Sequence, residues 1–405
     1  MSQTRQSAGG AYAIILLALV PFATLESQAA APPPALAIGE RILLHSRILQ
    51  EDRSLLVYLP ESYSASTFRY PVLFLLDAES DLLHTVGIVE FLSGTDQIPE
   101  LILVGIPNTH RSRDLTPASP NDTESPKFWG EWGGADQFRR FFSEELIPFI
   151  DQQYRTVPYR IIRGQSFGGL FALYDYMSEA PTFDAHLTSS PAVTWNADEL
   201  IERATTFFSR GLPAPLYVSY AGRENAELFA GIQRFVRRIE QNQPPSERWR
   251  AQLFEHETHY SLVHRSTYEA LTVLYAQWQV PDSIASQADF ARYEEHYGRL
   301  SQQFGYTIPI PMRSVIRLGN NLLRAQRFDD GIAVFKRSIE LYPEQPEAYW
   351  HLADAYVLSG QPAKARPLFA EAYRQAVARS VPDLNDYRES LEQVDRKLRG
   401  RPLEE

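Results

Sequence analysis

Cysteine is absent from the 405-residue sequence. Disulfide bonds, thiolate metal sites and cysteine nucleophiles are therefore excluded. The sequence also lacks an excess of positive charge, because its formal net charge is −11. Nucleic acids and anionic membranes attract proteins through clustered cationic residues. We therefore expect neither a nucleic-acid partner nor binding to an anionic membrane surface.

Apolar sequence long enough to span a bilayer is also scarce. The apolar run at residues 11–25 is short for a transmembrane helix, and Pro21 interrupts it. Arg5 precedes the run and small residues suited to cleavage follow it, which is the layout of a secretory signal peptide. We expect residues 1–29 to direct export to the periplasm or the medium, with an uncleaved membrane anchor as the alternative.

The remaining composition, with 44% hydrophobic and 22% charged residues, is that of a globular protein long enough for more than one domain. Within residues 30–282, stretches of strand character alternate with stretches of helical character. Continuous apolar runs such as residues 71–76 and 101–106 are typical of strands buried on both faces of a parallel sheet. The pattern predicts an α/β domain with a mostly parallel sheet and helices on both faces.

Beyond this domain the pattern becomes purely helical and repeats. Residues 34 positions apart match in character, as Leu318 and Leu352 do, and 34 residues is the tetratricopeptide period. Two such units rarely form a stable array without capping helices. We predict a helical connector at residues 283–311, and at residues 312–405 an all-α tetratricopeptide-like region with a capping helix, which would recruit a protein partner.

The most informative motif is Gly-Gln-Ser-Phe-Gly at residues 164–168. A β-branched stretch precedes it and an apolar helical stretch follows, so the serine lies in the tight strand-to-helix turn called a nucleophile elbow. Such a turn projects the serine hydroxyl from the end of the strand and directs the next backbone N–H to the position of an oxyanion. We predict Ser166 as the nucleophile and the Phe167 N–H as an oxyanion donor. The second donor is expected after the first central strand, at the Ala78 N–H.

A serine hydroxyl becomes a good nucleophile only when a base removes its proton, and the base needs an orienting acid. With an elbow of this kind, the acid and then a histidine follow the serine in the chain. Three histidines cluster after the last predicted strand, and of His256, His259 and His264 we predict His259 as the base. His256 and His259 lack the spacing of the zinc motif His-Glu-x-x-His, so we expect no metal and no other cofactor.

The orienting acid is expected at the end of a later strand. Residues 217–221 have strand character and lead to Gly222, and Glu224 follows two residues later. Glu227 is the competing carboxylate. A helix N-terminus attracts acidic residues for reasons unrelated to catalysis, so the presence of a carboxylate there does not identify the acid. Only its distance from the end of the strand distinguishes the two candidates. We predict Glu224 as the acid, with Glu227 as the alternative.

A long irregular segment at residues 108–134 follows one of the central strands. Loops of this length inside a compact domain are usually functional or disordered, and ligands bind at the carboxyl edge of open α/β sheets. We predict that the segment forms a wall of the substrate pocket, in which Arg111 and Arg113 pair with an anionic ligand and Trp129 stacks on an aromatic one. The alternative is that the arginines form structural ion pairs with Asp114 or Glu124 and the tryptophans simply pack.

Four stretches together carry a family resemblance: residues 72–77, 105–117, 164–169 and 257–261. Through them, residues 38–274 resemble the putative-esterase family of α/β-hydrolases, which includes siderophore esterases, S-formylglutathione hydrolases and feruloyl esterases. The resemblance implies the α/β-hydrolase fold, with Ser166 as nucleophile and His259 as base. It carries Glu224 over as the acid. One departure is Ala78, where the family usually has glycine.

These observations predict an exported serine esterase that hydrolyses a small-molecule carboxylic ester through an acyl-enzyme. Siderophore-type or other polar aromatic esters are the expected substrates. Two alternatives stay open. The same site could pass the acyl group to an alcohol, as an acyltransferase does. The domain could also bind a ligand without catalysis while the repeats recruit a partner.

Overall fold

The structure, a computed structural model, describes residues 37–64, 66–118, 131–242, 248–285, 289–379, 381 and 383–400. Within these ranges, the residues from Ile38 onward form one compact unit. No helix in the described part of the chain is long and apolar enough to cross a membrane.

A single sheet forms the centre of the fold. Its strands, numbered along the chain, are β1 Glu40–Ser46, β2 Glu51–Tyr58, β3 Tyr70–Leu76, β4 Ile102–Ile106, β5 Thr156–Gln165, β6 Ala185–Ser189, β7 Leu216–Arg223 and β8 Trp249–Thr258. Their order across the sheet is β1-β2-β4-β3-β5-β6-β7-β8. The β1–β2 and β2–β4 pairs are antiparallel, and the other neighbouring pairs are parallel. The carboxyl ends of the parallel strands therefore meet at one edge.

Helices follow or separate these strands. They are α1 Ala78–Gly94, α2 Arg111–Leu115, α3 Ala135–Phe141, α4 Ile147–Gln153, α5 Phe167–Tyr176, α6 Trp195–Phe208, α7 Ala226–Glu240 and α8 Leu262–Leu274. A π-helical turn, Phe142–Leu146, joins α3 to α4.

The central strands are buried on both faces, as their continuous apolar sequence predicts. On one face, Leu73 and Ile161 pack against α1 and α8. On the other face, Phe74 and Ile162 pack against Phe171 of α5 and the aromatic side chains of α3. The prediction of a mostly parallel α/β sheet with helices on both faces is confirmed.

The rest of the described chain is helical: α9 Asp282–Ala285, α10 Phe290–Phe304, α11 Met312–Arg324, α12 Phe328–Leu341, α13 Pro346–Leu358, α14 Pro362–Arg379 and α15 Leu384–Leu398. Gly319 of α11 lies so close to the Phe335 ring of α12 that a Cβ would overlap the ring. The small residue therefore allows the two helices of this repeat unit to approach. At the end of the array, Tyr387 and Val394 of α15 pack against α14. The predicted all-α repeat is confirmed.

Helix α10 belongs to the core of the sheet and is more than a connector. Its Tyr297 and Phe304 are almost completely buried. Phe304 stacks on Tyr275, at the end of α8, with ring centroids 5.2 Å apart. Farther along, the Ser314 hydroxyl of α11 donates to the Asp96 carboxylate at 2.9 Å. The α/β part and the helical part of the chain therefore share buried contacts.

Candidate active site

Ser166 occupies the turn between β5 and α5. Its backbone has φ 57° and ψ −114°, a conformation that costs a non-glycine residue about 1–3 kcal/mol. The Ser166 N–H donates to the Ser189 carbonyl at 3.0 Å. The Ser166 carbonyl in turn accepts from the N–H groups of Leu170 and Ala192 at 2.9 and 3.0 Å. Hydrogen bonds on both sides thus hold the serine in a strained turn at the carboxyl end of its strand.

The turn can close because glycines allow its strand and helix to touch. A Cβ at Gly164 would overlap the carbonyl oxygen of Gly168. A Cβ at Gly169 would lie 2.9 Å from the Cβ of Pro191. Protein interiors are close-packed, so neither position has room for a larger side chain without a shift of the backbone.

His259 and Glu224 form a hydrogen-bonded pair at the same edge of the sheet. His259 Nδ1 lies 3.0 Å from Oε1 and 2.9 Å from Oε2 of Glu224. The Glu224 side chain is 1% exposed and that of His259 is 21% exposed. With Nδ1–H donated to the carboxylate, Nε2 is left as a proton acceptor, which is the tautomer that a general base requires. Glu227 lies exposed in the first turn of α7.

The convergence of β7 and β8 brings this pair together. A Cβ at Gly222 of β7 would overlap the backbone of Glu255 on β8, so the glycine permits the close approach. Glu224 follows β7 and His259 follows β8 directly. The Asn225 side chain accepts a hydrogen bond from the first turn of α7, which turns the chain immediately after Glu224.

The loop that carries His259 is also tied to the strand that precedes Ser166. Gln165 Nε2 donates to the His259 carbonyl at 3.1 Å. Of the other two histidines, His264 lies against another imidazole ring, with centroids 5.5 Å apart, and His256 is exposed on β8. Across the described residues, no three His, Asp or Glu side chains gather closely enough to hold a metal ion.

Two helix N-termini meet beside the elbow. Helix α5 begins at Phe167 and α1 at Ala78, and the first N–H groups of a helix have no acceptor within it and attract negative charge. Asp77 Oδ2 lies 3.3 Å from the position of a Cβ on Gly168, so the two helix starts are neighbours. The methyl group of Ala78 fits because it faces Gly105, where a Cβ would lie only 2.7 Å away.

Arg111 lies at this edge but is already paired. Its Nε and Nη2 donate to the two oxygens of Asp77 at 2.6 and 2.9 Å, and Nη2 also reaches the Gln165 carbonyl at 3.3 Å. The guanidinium lies over the Phe167 ring, 5.5 Å from its centroid. Burial would lower the pKa of Arg111, but the hydrogen bonds to Asp77 raise it above its usual value. Arg111 therefore contacts the residues on either side of Ser166 as a permanent cation.

Arg113 forms ion pairs within the protein, which is the alternative that the sequence left open. It donates to Glu51 Oε1 at 2.7 Å and to Asp114 Oδ1 at 2.8 Å. The buried Arg53 donates to the same Asp114 carboxylate at 2.6 Å. These charges neutralise one another, so Arg113 joins α2 to β2 and has a structural role. Trp129 lies outside the described residues.

Two tryptophans that the sequence analysis did not single out extend the elbow into an aromatic wall, formed by Phe167, Trp195 and Trp132. The Trp195 ring meets that of Phe167 edge to face at 5.3 Å, and the Trp132 ring meets that of Trp195 at 5.7 Å. Trp195 Nε1 donates to the Pro117 carbonyl at 3.4 Å. The available signal was position, because Trp195 follows β6 at the carboxyl edge where ligands bind.

Known proteins resemble both parts of the chain. A family model described as Putative esterase matches residues 46–286, and one described as Tetratricopeptide repeat matches residues 316–381. The chain is 33% identical over 161 residues to ferri-bacillibactin esterase BesA of Bacillus subtilis, which covers 35% of this chain and 54% of that protein. It is 32% identical over 126 residues to a siderophore enterobactin esterase of Emericella nidulans, which covers 27% and 41%. The chain thus spans about half the length of these curated relatives.

Among solved structures, an IroE-like serine hydrolase from Shewanella oneidensis is similar to this chain. The two share a TM-score of 0.63 and 27% sequence identity, over 73% of this chain and 97% of that one. The α/β part of the chain therefore has the fold of a solved serine hydrolase.

Replacing Gly164 with alanine should destabilise the elbow, because the new methyl group would overlap the Gly168 carbonyl. Overpacking typically costs about 1–3 kcal/mol, so the melting temperature should fall by several degrees. Gly87→Ala is the matched control, since α1 leaves open space there and alanine favours a helix by about 1 kcal/mol over glycine. Thermal unfolding followed by circular dichroism measures both. An unchanged melting temperature for Gly164→Ala would show that the turn does not need glycine.

Proposed function

The chain belongs to the Putative esterase family, and on this premise we propose that it is an esterase whose nucleophile is Ser166. The observation that carries the proposal is the hydrogen bond between His259 Nδ1 and the buried Glu224, at the same sheet edge as the strained Ser166 turn. A serine in an elbow, an imidazole and a carboxylate that orients it are the groups that acyl transfer through serine requires.

In the proposed mechanism, Ser166 Oγ attacks the ester carbonyl carbon while His259 Nε2 takes the hydroxyl proton. Glu224 keeps the imidazole in the required tautomer and stabilises the imidazolium that forms. The oxyanion of the tetrahedral intermediate accepts hydrogen bonds from the N–H groups of Phe167 and Ala78. His259 then donates its proton to the leaving alcohol. Water, deprotonated by the same imidazole, attacks the acyl-enzyme. The imidazolium returns that proton to Ser166 Oγ as the acid is released.

The proposed substrate is a polar aromatic ester of the siderophore type. The aromatic wall supports this choice, because its rings begin at the residue next to Ser166 and offer edges and faces to an aryl group. Two curated relatives are siderophore esterases by name. Asp77 occupies two of the donors of Arg111, so we expect the aromatic wall to contribute more to substrate selection than this arginine does.

The proposed setting of the reaction is outside the cytoplasm. Residues 1–29 have the layout of a signal peptide, which supports export. The tetratricopeptide region is proposed to recruit a protein partner, since stacked helical repeats present extended binding surfaces.

Ser166→Ala should lower the turnover of p-nitrophenyl acetate by at least about a thousandfold, because no other group replaces the nucleophile. A fluorophosphonate probe should label the wild type and not the variant. Circular dichroism checks that the variant is folded, as the change removes only a hydroxyl group. Retained turnover in the folded variant would rule out the serine mechanism, and so would a wild type that neither hydrolyses esters nor reacts with the probe.

Glu224→Gln should lower kcat by about 10²- to 10⁴-fold, since an amide can neither fix the imidazole tautomer nor stabilise the imidazolium. Glu227→Gln is the matched control, because Glu227 is exposed in the neighbouring helical turn, and it should retain near-normal turnover. Steady-state kinetics with the same ester measures both variants. The reverse result, with the loss at Glu227, would identify the other carboxylate as the acid.

Trp195→Ala should reduce kcat/KM for a catechol-bearing aryl ester about tenfold and change that for a short-chain ester little, because an aromatic contact adds about 0.5–1.5 kcal/mol beyond its buried area. Arg113→Ala is the control, and it should lower the melting temperature and affect both esters equally, since its partners are structural. Equal losses on both esters for Trp195→Ala would mean that this tryptophan only packs.

A further inference from the structure

Arg163 is a buried cation on the strand that leads to the proposed nucleophile. It lies on β5, three residues before Ser166, and its side chain is 1% exposed. Side chains alternate along a strand, so Arg163 faces the same side of the sheet as Ile161, the side that α1 and α8 cover. Burial of a guanidinium is costly unless a counter-charge and hydrogen bonds compensate. Its partners therefore indicate what it does.

The main partner of Arg163 is Asp81 on α1. Arg163 Nη1 donates to Asp81 Oδ2, and the same carboxylate accepts from the Ser80 hydroxyl at 2.9 Å. Burial alone would raise the pKa of Asp81, but its contacts with His84, Arg163 and Ser80 outweigh burial and lower the pKa to about 2. The pair is therefore charged at neutral pH. Asp81 lies about one helical turn beyond Ala78, whose N–H is a proposed oxyanion donor.

Further contacts connect this pair to α8. Arg163 Nη2 reaches the Val263 carbonyl at 3.5 Å, which is a long hydrogen bond. His84 Nε2 lies 3.6 Å from Asp81 Oδ1. The centroid of the His84 ring is 5.5 Å from that of the His264 ring on α8. Helix α8 begins three residues after the proposed base. The Arg163–Asp81 pair thus contacts or adjoins three elements: the strand that precedes the nucleophile, the helix that begins with an oxyanion donor, and the helix that follows the base.

We propose that Arg163 is a positioning residue, which together with Asp81 fixes the spacing between the nucleophile strand, the oxyanion helix and the helix after the base. This inference rests on the proposed esterase function. A guanidinium suits the task because its planar fork presents several donors in fixed directions. A displacement of about 1 Å at the reacting groups can cost about a hundredfold in rate, so such spacing matters for turnover.

An ion pair that only stabilises the fold would respond to substitution differently from one that positions catalytic groups. Exchange of a buried ion pair for apolar side chains of similar volume is often neutral or stabilising, whereas removal of one partner leaves an unpaired buried charge and is strongly destabilising. The double variant Arg163→Met/Asp81→Leu removes both charges at once. It therefore separates a positioning role, which would show in kcat, from a stabilising role, which would show in the melting temperature.

A more exposed control pair lies on the same strand, with the Arg160 and Asp151 side chains 11% and 38% exposed. Arg160 is also on β5, six residues before Ser166. It donates to both oxygens of Asp151 on α4 at 2.6 and 2.7 Å. The control variant Arg160→Met/Asp151→Leu therefore removes an ion pair of the same composition that is farther from the proposed site.

The experiment measures kcat, KM, the rate of fluorophosphonate labelling and the melting temperature of the full chain, with p-nitrophenyl acetate as substrate. Arg163→Met/Asp81→Leu should keep its melting temperature within a few degrees and its KM within about twofold, while kcat and the labelling rate fall about 10- to 100-fold. Arg163→Lys keeps the charge without the fork, so it should fold and lose part of kcat. The Arg160→Met/Asp151→Leu control should keep the wild-type kcat.

Three results would overturn the inference. One is a double variant that has the kcat of the wild type, and another is an unchanged kcat in Arg163→Lys, which applies even when the double variant fails to fold. The third is an equal loss of kcat in the control pair. A wild type that neither turns over substrate nor reacts with the probe is a distinct result, because it refutes the proposed function and this inference with it.

Discussion

The close contact between β5 and α5 at Ser166 is the constraint on which the rest of the structure depends. A serine with positive φ stores about 1–3 kcal/mol of strain, and the turn closes only because Gly164 has no Cβ to overlap the Gly168 carbonyl of α5. The bond from its N–H to the Ser189 carbonyl fixes the turn against the next strand. The large apolar core on both faces of the sheet stabilises the folded domain, and this stability offsets the backbone strain at Ser166. That residue is the one whose hydroxyl must project from the sheet edge.

Paired charges arrange the other elements around this turn. Arg111 joins α2 to Asp77 at the start of α1, and Arg163 joins β5 to Asp81 within α1. Ion pairs of this kind add little net stability, because desolvation and solvent screening offset their attraction. Their donors and acceptors are directional, however, and so they favour one relative position of the elements that they connect. The Arg111–Asp77 pairing also neutralises two opposite charges beside the Ser166 turn.

The helical region is built onto the opposite end of the central strand. Tyr159, near the start of β5, meets the Phe304 ring of α10 with centroids 5.1 Å apart. Ser166 follows the end of the same strand, seven residues later and about 23 Å away at the usual rise per residue. Within the described residues, the core therefore extends from the sheet into the repeats near the end of β5 that lies opposite Ser166.

Local sequence was enough to predict the α/β sheet, the elbow and the 34-residue repeat, because each depends on steric rules that act between residues close in the chain. The order of serine, acid and histidine pointed to Glu224 and His259, which the structure joins by hydrogen bonds. Asp114 was already a candidate partner of Arg113 from the sequence. The partners of Arg111 and Trp195, and the pairing of Arg113 with Glu51, emerged only with the fold. A cation can pair with any carboxylate and an aromatic ring can pack against many surfaces. Their roles therefore depend on which distant side chains the tertiary structure brings within a few ångströms.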